Sequence, residues 1–375
     1  MSGTGRKRQS APEIESYTAS QANKGSAVIL LEYAMTQATP RRGRRGSGAV
    51  TLHDVAKLAG VAPITASRAL NKPEQVSDEV RKKVGEAVAR TGYVPNLLAG
   101  GLASTRSKLV AAVVPTISGP VFLETVQALT EALAERGYQL MLGQSGYVGS
   151  REDALLEAII GRRPDGIVLT GIMHSAEGRR RLLASGIPVV ETWDLTPTPI
   201  DMLVGFSHVE VGRAVAEFLH SKGRRKFAVV AGDDERATRR LGAFQAAALG
   251  LGLLPVRTIV VPAPTTLRSG RSALAELMAG GPRIDAVFCS SDLLALGVLT
   301  EAQARSIPVP ERLAIVGFGD LEFAADLHPA LTTVHINGTA IGRQAAQFIV
   351  DRAEGRNIEQ CVIDIGFSIV DRQST

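Results

Sequence analysis

Cysteine, aromatic residues and long apolar runs are all scarce in this chain. Its 375 residues include 2 Cys, Cys289 and Cys361, far apart, and 6 His that repeat at no ligand spacing. A disulfide scaffold and a structural zinc site are therefore not expected. Near the start the longest apolar stretch, Ala27 to Leu31, ends at Glu32. It is too short for a signal-peptide core or a membrane span, so a soluble, cytoplasmic chain with no membrane partner is expected. Catalytic signatures are missing too. There is no Gly-Lys pair and hence no phosphate loop, no HExxH and no GxSxG, and Gly250-Leu251-Gly252 lacks the third glycine of a dinucleotide fingerprint. Neither an enzyme nor a cofactor is expected.

What is present is an apolar fraction of 45%, ample for a large core, and a length that suggests roughly two to three domains. Charge is spread unevenly. Residues 1–107 hold 16 Lys+Arg against 8 Asp+Glu, a balance of +8, whereas the rest hold 26 against 29, a balance of −3. A basic head on a near-neutral body is the electrostatic footprint of a nucleic-acid-binding segment attached to something else; a basic tail without a partner is the bland alternative. Residues 1–48 lack apolar periodicity, and Arg41-Arg42-Gly43-Arg44-Arg45-Gly46-Ser47-Gly48 reads as a disordered cationic arm. Met35 directly precedes this run, which offers a second translation start and makes residues 1–34 a candidate gene-model extension.

At Val50 the pattern changes. Thr51 and Asp54 stand at capping-box spacing before Val55, Ala56, Leu58 and Ala59, and Gly60 suits the end of that short helix. Pro63 suits the first turn of a second helix through Leu70. A third, Asp78 to Arg90, starts after Ser77 and stops at Gly92. Helix, glycine turn and a second helix of small residues make a helix-turn-helix in residues 49–95. From Lys108 onward, short hydrophobic strands such as Leu109–Val114, Gly166–Leu169, Phe227–Ala231 and Ala286–Cys289 alternate with amphipathic helices. That alternation implies parallel sheets covered on both faces. The expected fold is α/β: a helical head, then two doubly wound parallel-sheet subdomains with a cleft at the strands' C-terminal ends.

Val50 to Ser107 closely resembles the head of the LacI/GalR family of bacterial transcriptional regulators. The matching residues are Val50 to Ala56, Ala59-Gly60-Val61, Thr65 to Asn71, Val76-Ser77 through Arg81, Gly92 to Asn96 and Leu102-Ala103. The body continues the likeness to about residue 370, through Gly317-Phe318-Gly319-Asp320 and Pro329 to Val334. Within the family, Asn71 to Ser77 and Gly143-Gln144-Ser145-Gly146-Tyr147 look most like the gluconate-utilisation repressors. The resemblance implies a periplasmic-binding-protein-like body over 108–370, with an N-subdomain of 108–206 and 309–332 and a C-subdomain of 207–308 and 333–370. It also implies a hinge helix or linker over 96–107, a homodimer, a palindromic double-stranded operator and a small-molecule effector.

If the family's docking holds, Pro63, Ile64, Thr65 and Arg68 face base edges, with Arg68 suited to a bidentate bond to guanine. Ser67, Asn71, His53 and Thr51 would bond phosphates and set register. Asn96 to Ala103 matches the hinge helix, with Leu102 as the wedge in the minor groove. Two departures stand out. Ala62 replaces a capping Ser or Thr, and the apolar pair Pro63-Ile64 replaces polar base-readers. Gly100-Gly101 weakens the hinge by roughly 1 kcal/mol per glycine relative to alanine, so it should be coil off DNA.

In the cleft, the resemblance assigns Ser118, Phe122, Trp193, Arg236, Thr238, Arg240 and Asp292 to the ligand, Asp292 as the hydroxyl-binding carboxylate. Of Arg239 and Arg240, the second is expected inward. A carboxylate implies a polyol and cleft arginines imply an anion, so a sugar acid such as gluconate is expected. A neutral sugar, activation in place of repression, and a solute-binding protein that would have no use for the head are the rival readings.

Overall fold

The computed structural model describes residues 50–94, 106–147, 149–172, 175–280 and 283–375. The chain divides into two compact units, residues 1–95 and residues 96–375. The arm and the hinge residues Asn96, Leu102 and Ala103 lie outside the described residues.

Among the described residues of the first unit are three α-helices whose ends are set locally. In α1 (Leu52–Ala59) the Thr51 side chain accepts from the Asp54 amide, and the Asp54 carboxylate accepts from the Thr51 amide at 2.8 Å. Both arms of the capping box are made. Gly60 then turns the chain at φ 68°, a left-handed conformation that costs a glycine nothing. Helix α2 (Pro63–Asn71) opens on Pro63, and Ala62 at its cap position makes no side-chain bond. Helix α3 (Asp78–Thr91) is capped by Ser77 and ended by Gly92. Val55, Ala56, Ala66, Ala69, Val84 and Ala87 are buried together. Because all six of these side chains are alanine or valine, the three axes can pack closely around a very small core.

The second unit is built on two six-stranded sheets. Strands β1 (Leu109–Val114), β2 (Gln139–Gln144), β3 (Gly166–Thr170), β4 (Val189–Thr192) and β5 (Met202–Gly205) alternate with helices α4 (Leu123–Ala134), α5 (Gly149–Ile160) and α6 (Ala176–Ser185). After α7 (His208–Ser221) come β6 (Phe227–Gly232), α8 (Glu235–Gly250), β7 (Arg257–Val261), α9 (Leu267–Ala279), β8 (Ala286–Cys289), α10 (Asp292–Ala304), β9 (Ala314–Phe318), the short α11 (Phe323–Asp326) and β10 (Thr332–His335). Helix α12 (Gly338–Ala353), β11 (Val362–Asp364) and β12 (Ser368–Val370) complete the chain.

The strand orders are β11-β5-β4-β3-β1-β2 and β12-β10-β9-β8-β6-β7. Every pairing is parallel except β10 with β12. Each half is thus doubly wound, and the order reverses beside β1 in one and β6 in the other. Ligands in such sheets sit outside the strands' C-terminal ends at that reversal.

The expected division of the body needs correction. Residues 309–332 were assigned to the first subdomain, but β9 pairs with β8 in register Ala286↔Ala314 and belongs to the second sheet, as does β10. Conversely α12 buries Ile341, Ala345 and Ile349 in the core that includes Val110, Val190 and Val204, and β11 pairs with β5 of the first sheet. The chain therefore crosses between halves three times: Gly205 to His208, His335 to Gly338 and Asp364 to Ser368. Nor does the body stop at 370. Ser374 is fully buried and its hydroxyl accepts from the Thr332 amide at 2.8 Å. At the other end, Ser107, expected in the linker, bonds Asp165 through its amide and hydroxyl.

Candidate functional sites: a helical head and a buried arginine cleft

On α2 the burial pattern separates two faces. Ala66 and Ala69 point into the head's core, while Pro63, Ile64, Arg68 and Asn71 are exposed and Thr65 and Ser67 half-exposed. Positions 63, 64, 67, 68 and 71 share one side of a helix with 3.6 residues per turn. Ile64 is 63% exposed, an apolar side chain with no packing role in the head. The Asn71 amide donates to the Ser67 carbonyl at 3.0 Å, which ties together the two residues expected on phosphates. Thr51 and His53 are also exposed, at the start of α1. Thr51 holds the Asp54 carboxyl below its ordinary range through its side-chain and backbone bonds.

In the second unit a cavity of about 700 Å³, counting its open mouth, is lined by residues that follow the C-terminal ends of strands in both sheets. Thr116 follows β1, Trp193 follows β4, Asp234 follows β6 and Ser290 follows β8, with Phe318 at the end of β9. Phe122 and Trp193 meet edge to face at 5.0 Å and make an aromatic wall.

Arg240 lies against that wall. It projects from α8, is 4% exposed, and sits 3.9 Å over the Phe318 ring. Its Nη1 donates to His208 Nδ1 at 2.9 Å and its Nη2 to the Ser290 carbonyl at 3.1 Å, while Nε is buried without a partner. Among the described residues no carboxylate lies within ion-pair distance of it. Burial lowers this guanidinium to about 10, so it stays a cation at neutral pH. His208 is held well below the usual imidazole range by burial and then by the Arg240 charge. Arg240 is thus a buried cation without a direct ion-pair partner among the described residues, its charge met only at longer range by Asp234 and Asp194.

Two contacts join the halves across this cleft. Arg236 donates to the Thr170 carbonyl at 3.1 Å and lies 5.1 Å from the Phe122 ring. Arg239 pairs with Asp194 at 2.8 Å. Burial raises the Asp194 carboxyl above its ordinary value despite Arg239, so desolvation offsets much of this pair's attraction.

Comparison with known proteins places these parts. Residues 51–96 match the family model for bacterial regulatory proteins of the lacI family, and residues 216–375 that for the periplasmic binding protein-like domain. The transcriptional regulator GntR of Pseudomonas aeruginosa is 36% identical over 89% of this chain and 98% of its own length. The chain belongs to the LacI family. A LacI-family regulator from Silicibacter pomeroyi has a solved structure that covers 87% of this chain and 99% of its own, with TM-score 0.82 and 31% identity. The regulator CelR of Thermobifida fusca is 32% identical over 86% of this chain and 98% of its own length. A CelR–cellobiose complex has TM-score 0.61 at 30% identity, over 87% of this chain and 100% of its own. This LacI-family chain is a DNA-binding transcriptional regulator with a helix-turn-helix head and a two-sheet α/β body.

Of the cleft residues expected in this LacI-family body, the fold brings Phe122, Trp193, Arg236 and Arg240 to the cavity. Ser118 and Thr238 are exposed, and neither lines it. Asp292 does not line it either. That side chain is fully buried, with Oδ1 accepting from the Thr333 hydroxyl at 2.6 Å and Oδ2 from the Leu321 amide at 2.8 Å. Burial raises its carboxyl to about 6. The carboxylate that does line the cavity is Asp234, which also caps α8 by accepting from the Ala237 amide. Asp234, Tyr147, His208 and Phe318 line the cavity but are not among the residues the sequence assigns to it, Tyr147 and Phe318 standing there only as motif residues. Asp234 and His208 look there like an ordinary helix start, and Phe318 like a strand residue.

Proposed function

We propose that this protein represses genes of sugar-acid catabolism. It acts as a homodimer on a palindromic operator, and a gluconate-like effector in the cleft releases it. The observation that carries the sugar-acid reading is Arg240: a desolvated cation with no carboxylate at ion-pair distance, at a cavity that also holds Arg236 and the hydroxyl-bearing Thr116, Ser290 and Thr265. An anion supplies the missing charge, and Phe122, Trp193 and Phe318 suit the apolar faces of a sugar chain. Asp234 takes the polyol-binding part first given to Asp292. The likeness of residues 71–77 and 143–147 to gluconate-utilisation repressors, and a relative named GntR, support the same reading.

On DNA, the outer face of α2 enters the major groove and each head reads one half-site, so two are needed. Effector binding shifts the body toward the cleft arrangement it prefers, and the hinges lose their grip. The test is operator binding by fluorescence anisotropy, on fragments chosen by selection from a random pool, against a panel of sugar acids and neutral sugars. Release by D-gluconate at concentrations where D-glucose does nothing is expected. No preference for any sequence over bulk competitor would overturn the regulator reading, and release by neutral sugars alone would overturn the sugar acid.

A further inference from the structure

The sugar-acid reading sets an anion against Arg240, and on that reading rests a question: what holds Arg240 where it is. His208 opens α7 on the first crossing between the halves and is 2% exposed. Its ring meets Phe206 edge-on at 4.7 Å and lies 6.3 Å from Phe318, so its edge nitrogens carry its polar contacts. Nδ1 is 2.9 Å from Arg240 Nη1, and Nε2 is 2.9 Å from the Trp193 carbonyl oxygen. A guanidinium can only donate and a carbonyl can only accept. One tautomer satisfies both at once: the neutral ring with its hydrogen on Nε2.

The line continues into the first sheet's half. Trp193 has φ 65°, a left-handed conformation that a non-glycine residue keeps only when its surroundings insist. Its indole Nε1 donates to the Thr125 hydroxyl of α4 at 3.0 Å. Arg240, His208, Trp193 and Thr125 are each at most 4% exposed, so these bonds are largely shielded from bulk solvent. The charges that weigh most on His208 are positive and come from α8: Arg240, Arg236 and Arg239. From the first sheet's side it meets the Phe206 ring and the neutral Trp193 carbonyl, and the residue after Trp193, Asp194, is paired with Arg239.

We propose that His208 is a positioning residue for effector recognition: by accepting from Arg240 and donating to Trp193 it fixes the guanidinium over Phe318, and the anion is bound through Arg240 only while that relay stands. Protonation would remove the acceptor and set two cations against each other. Burial and the three arginines prevent this, so affinity for the acid should be flat through the usual imidazole range.

The test is calorimetry of the full-length chain with D-gluconate, on His208→Phe, His208→Asn and His208→Gln, with and without Arg240→Met. His208→Phe should weaken binding about tenfold or more. Asn places an acceptor where Nδ1 stood and should stay within about threefold of the parent. Gln, which reaches the Trp193 carbonyl but not Arg240, should not recover. In the Arg240→Met background His208→Phe should cost nothing further, because one residue acts through the other. Undiminished binding by His208→Phe, or losses that multiply in the double variant, would overturn the role of His208 while leaving the sugar-acid reading intact. Should His208→Phe fail to fold, equal affinities of the Asn and Gln variants would overturn it instead. A parent protein that binds no gluconate removes both.

Discussion

Replacing Arg240 by methionine separates what the cation does for the ligand from what it does for the fold. Methionine keeps most of the stem that packs on Phe318 and deletes the charge. In the empty cleft that charge is a liability. Burial holds the guanidinium down at about 10 from an ordinary 12.5, which corresponds to a penalty of about 3 kcal/mol. Against this stand its bonds to His208 and the Ser290 carbonyl and its place over an aromatic ring, together on the order of 2–4 kcal/mol. The two sides nearly cancel, so Arg240→Met should change unliganded stability by less than about 2 kcal/mol. The ligand loses more. A charge-assisted bond to a carboxylate contributes about 1.5–3 kcal/mol, which is about 10- to 150-fold in affinity. Urea denaturation at fixed D-gluconate reads both quantities. The parent should gain about 2.7 kcal/mol at a hundred times its dissociation constant, and the variant only about 0.3–1.4 kcal/mol at the same concentration. Equal stabilisation of both by gluconate would show that the anion sits elsewhere. A loss of more than about 4 kcal/mol without ligand would show that the cation is structural.

The head and the buried carboxylate give further checks. Replacing Pro63-Ile64 with the polar pair of a relative should change base preference at one or two positions per half-site, because the exposed Ile64 can touch a thymine methyl but donates nothing. A binding-site selection that returns the same profile would refute this. Thr51→Ala removes the capping box of α1 and should cost the head about 1 kcal/mol, read by hydrogen exchange of the α1 amides; unchanged protection would count against it. Asp292 titrates at about 6 in the fold against an ordinary 3.8. A carboxyl raised by folding stabilises the fold in its protonated form, so this contribution is full below about pH 4 and lost as pH rises through about 6. Asp292→Asn should remove that step from the difference between the two stability curves, and parallel curves between pH 4 and 6 would contradict it.

The head was readable because its signals are local: a cap, a glycine stop and a proline start fix each helix within a few residues. The central strands were readable because burial on both faces demands unbroken runs such as Phe227 to Ala231. Strands β5, β7, β10, β11 and β12 passed unread. Of these β11 and β12 are only three residues long, and β7 is an edge strand that leaves Val260 54% exposed. The misplaced division at 309 had a different cause. Consecutive strands linked by a helix usually lie side by side, and β8, α10 and β9 form such a unit. A break drawn between α10 and β9 ran against that rule. In the cleft, the resemblance to the family supplied Phe122, Trp193, Arg236 and Arg240, which line the cavity, and also Asp292, which does not. Which way a helix-start carboxylate turns depends on Thr333 and Leu321, both distant in sequence.

The three crossings between the halves make the cleft a hinge, because a body tied at three neighbouring places can bend there but cannot slide far. Arg240 hangs from α8 in one half, and His208 stands on one of those crossings. An anion that neutralises Arg240 acts at the pivot and not at the tip. The Arg239–Asp194 pair spans the opening, and burial opposes its attraction. On the sugar-acid reading, a carboxylate paired with Arg240 would tip the equilibrium, within the roughly 1–3 kcal/mol that typically couples two sites. A neutral sugar offers no such pairing. On this reasoning, glucose should bind the cleft without releasing the operator, and gluconate should do both.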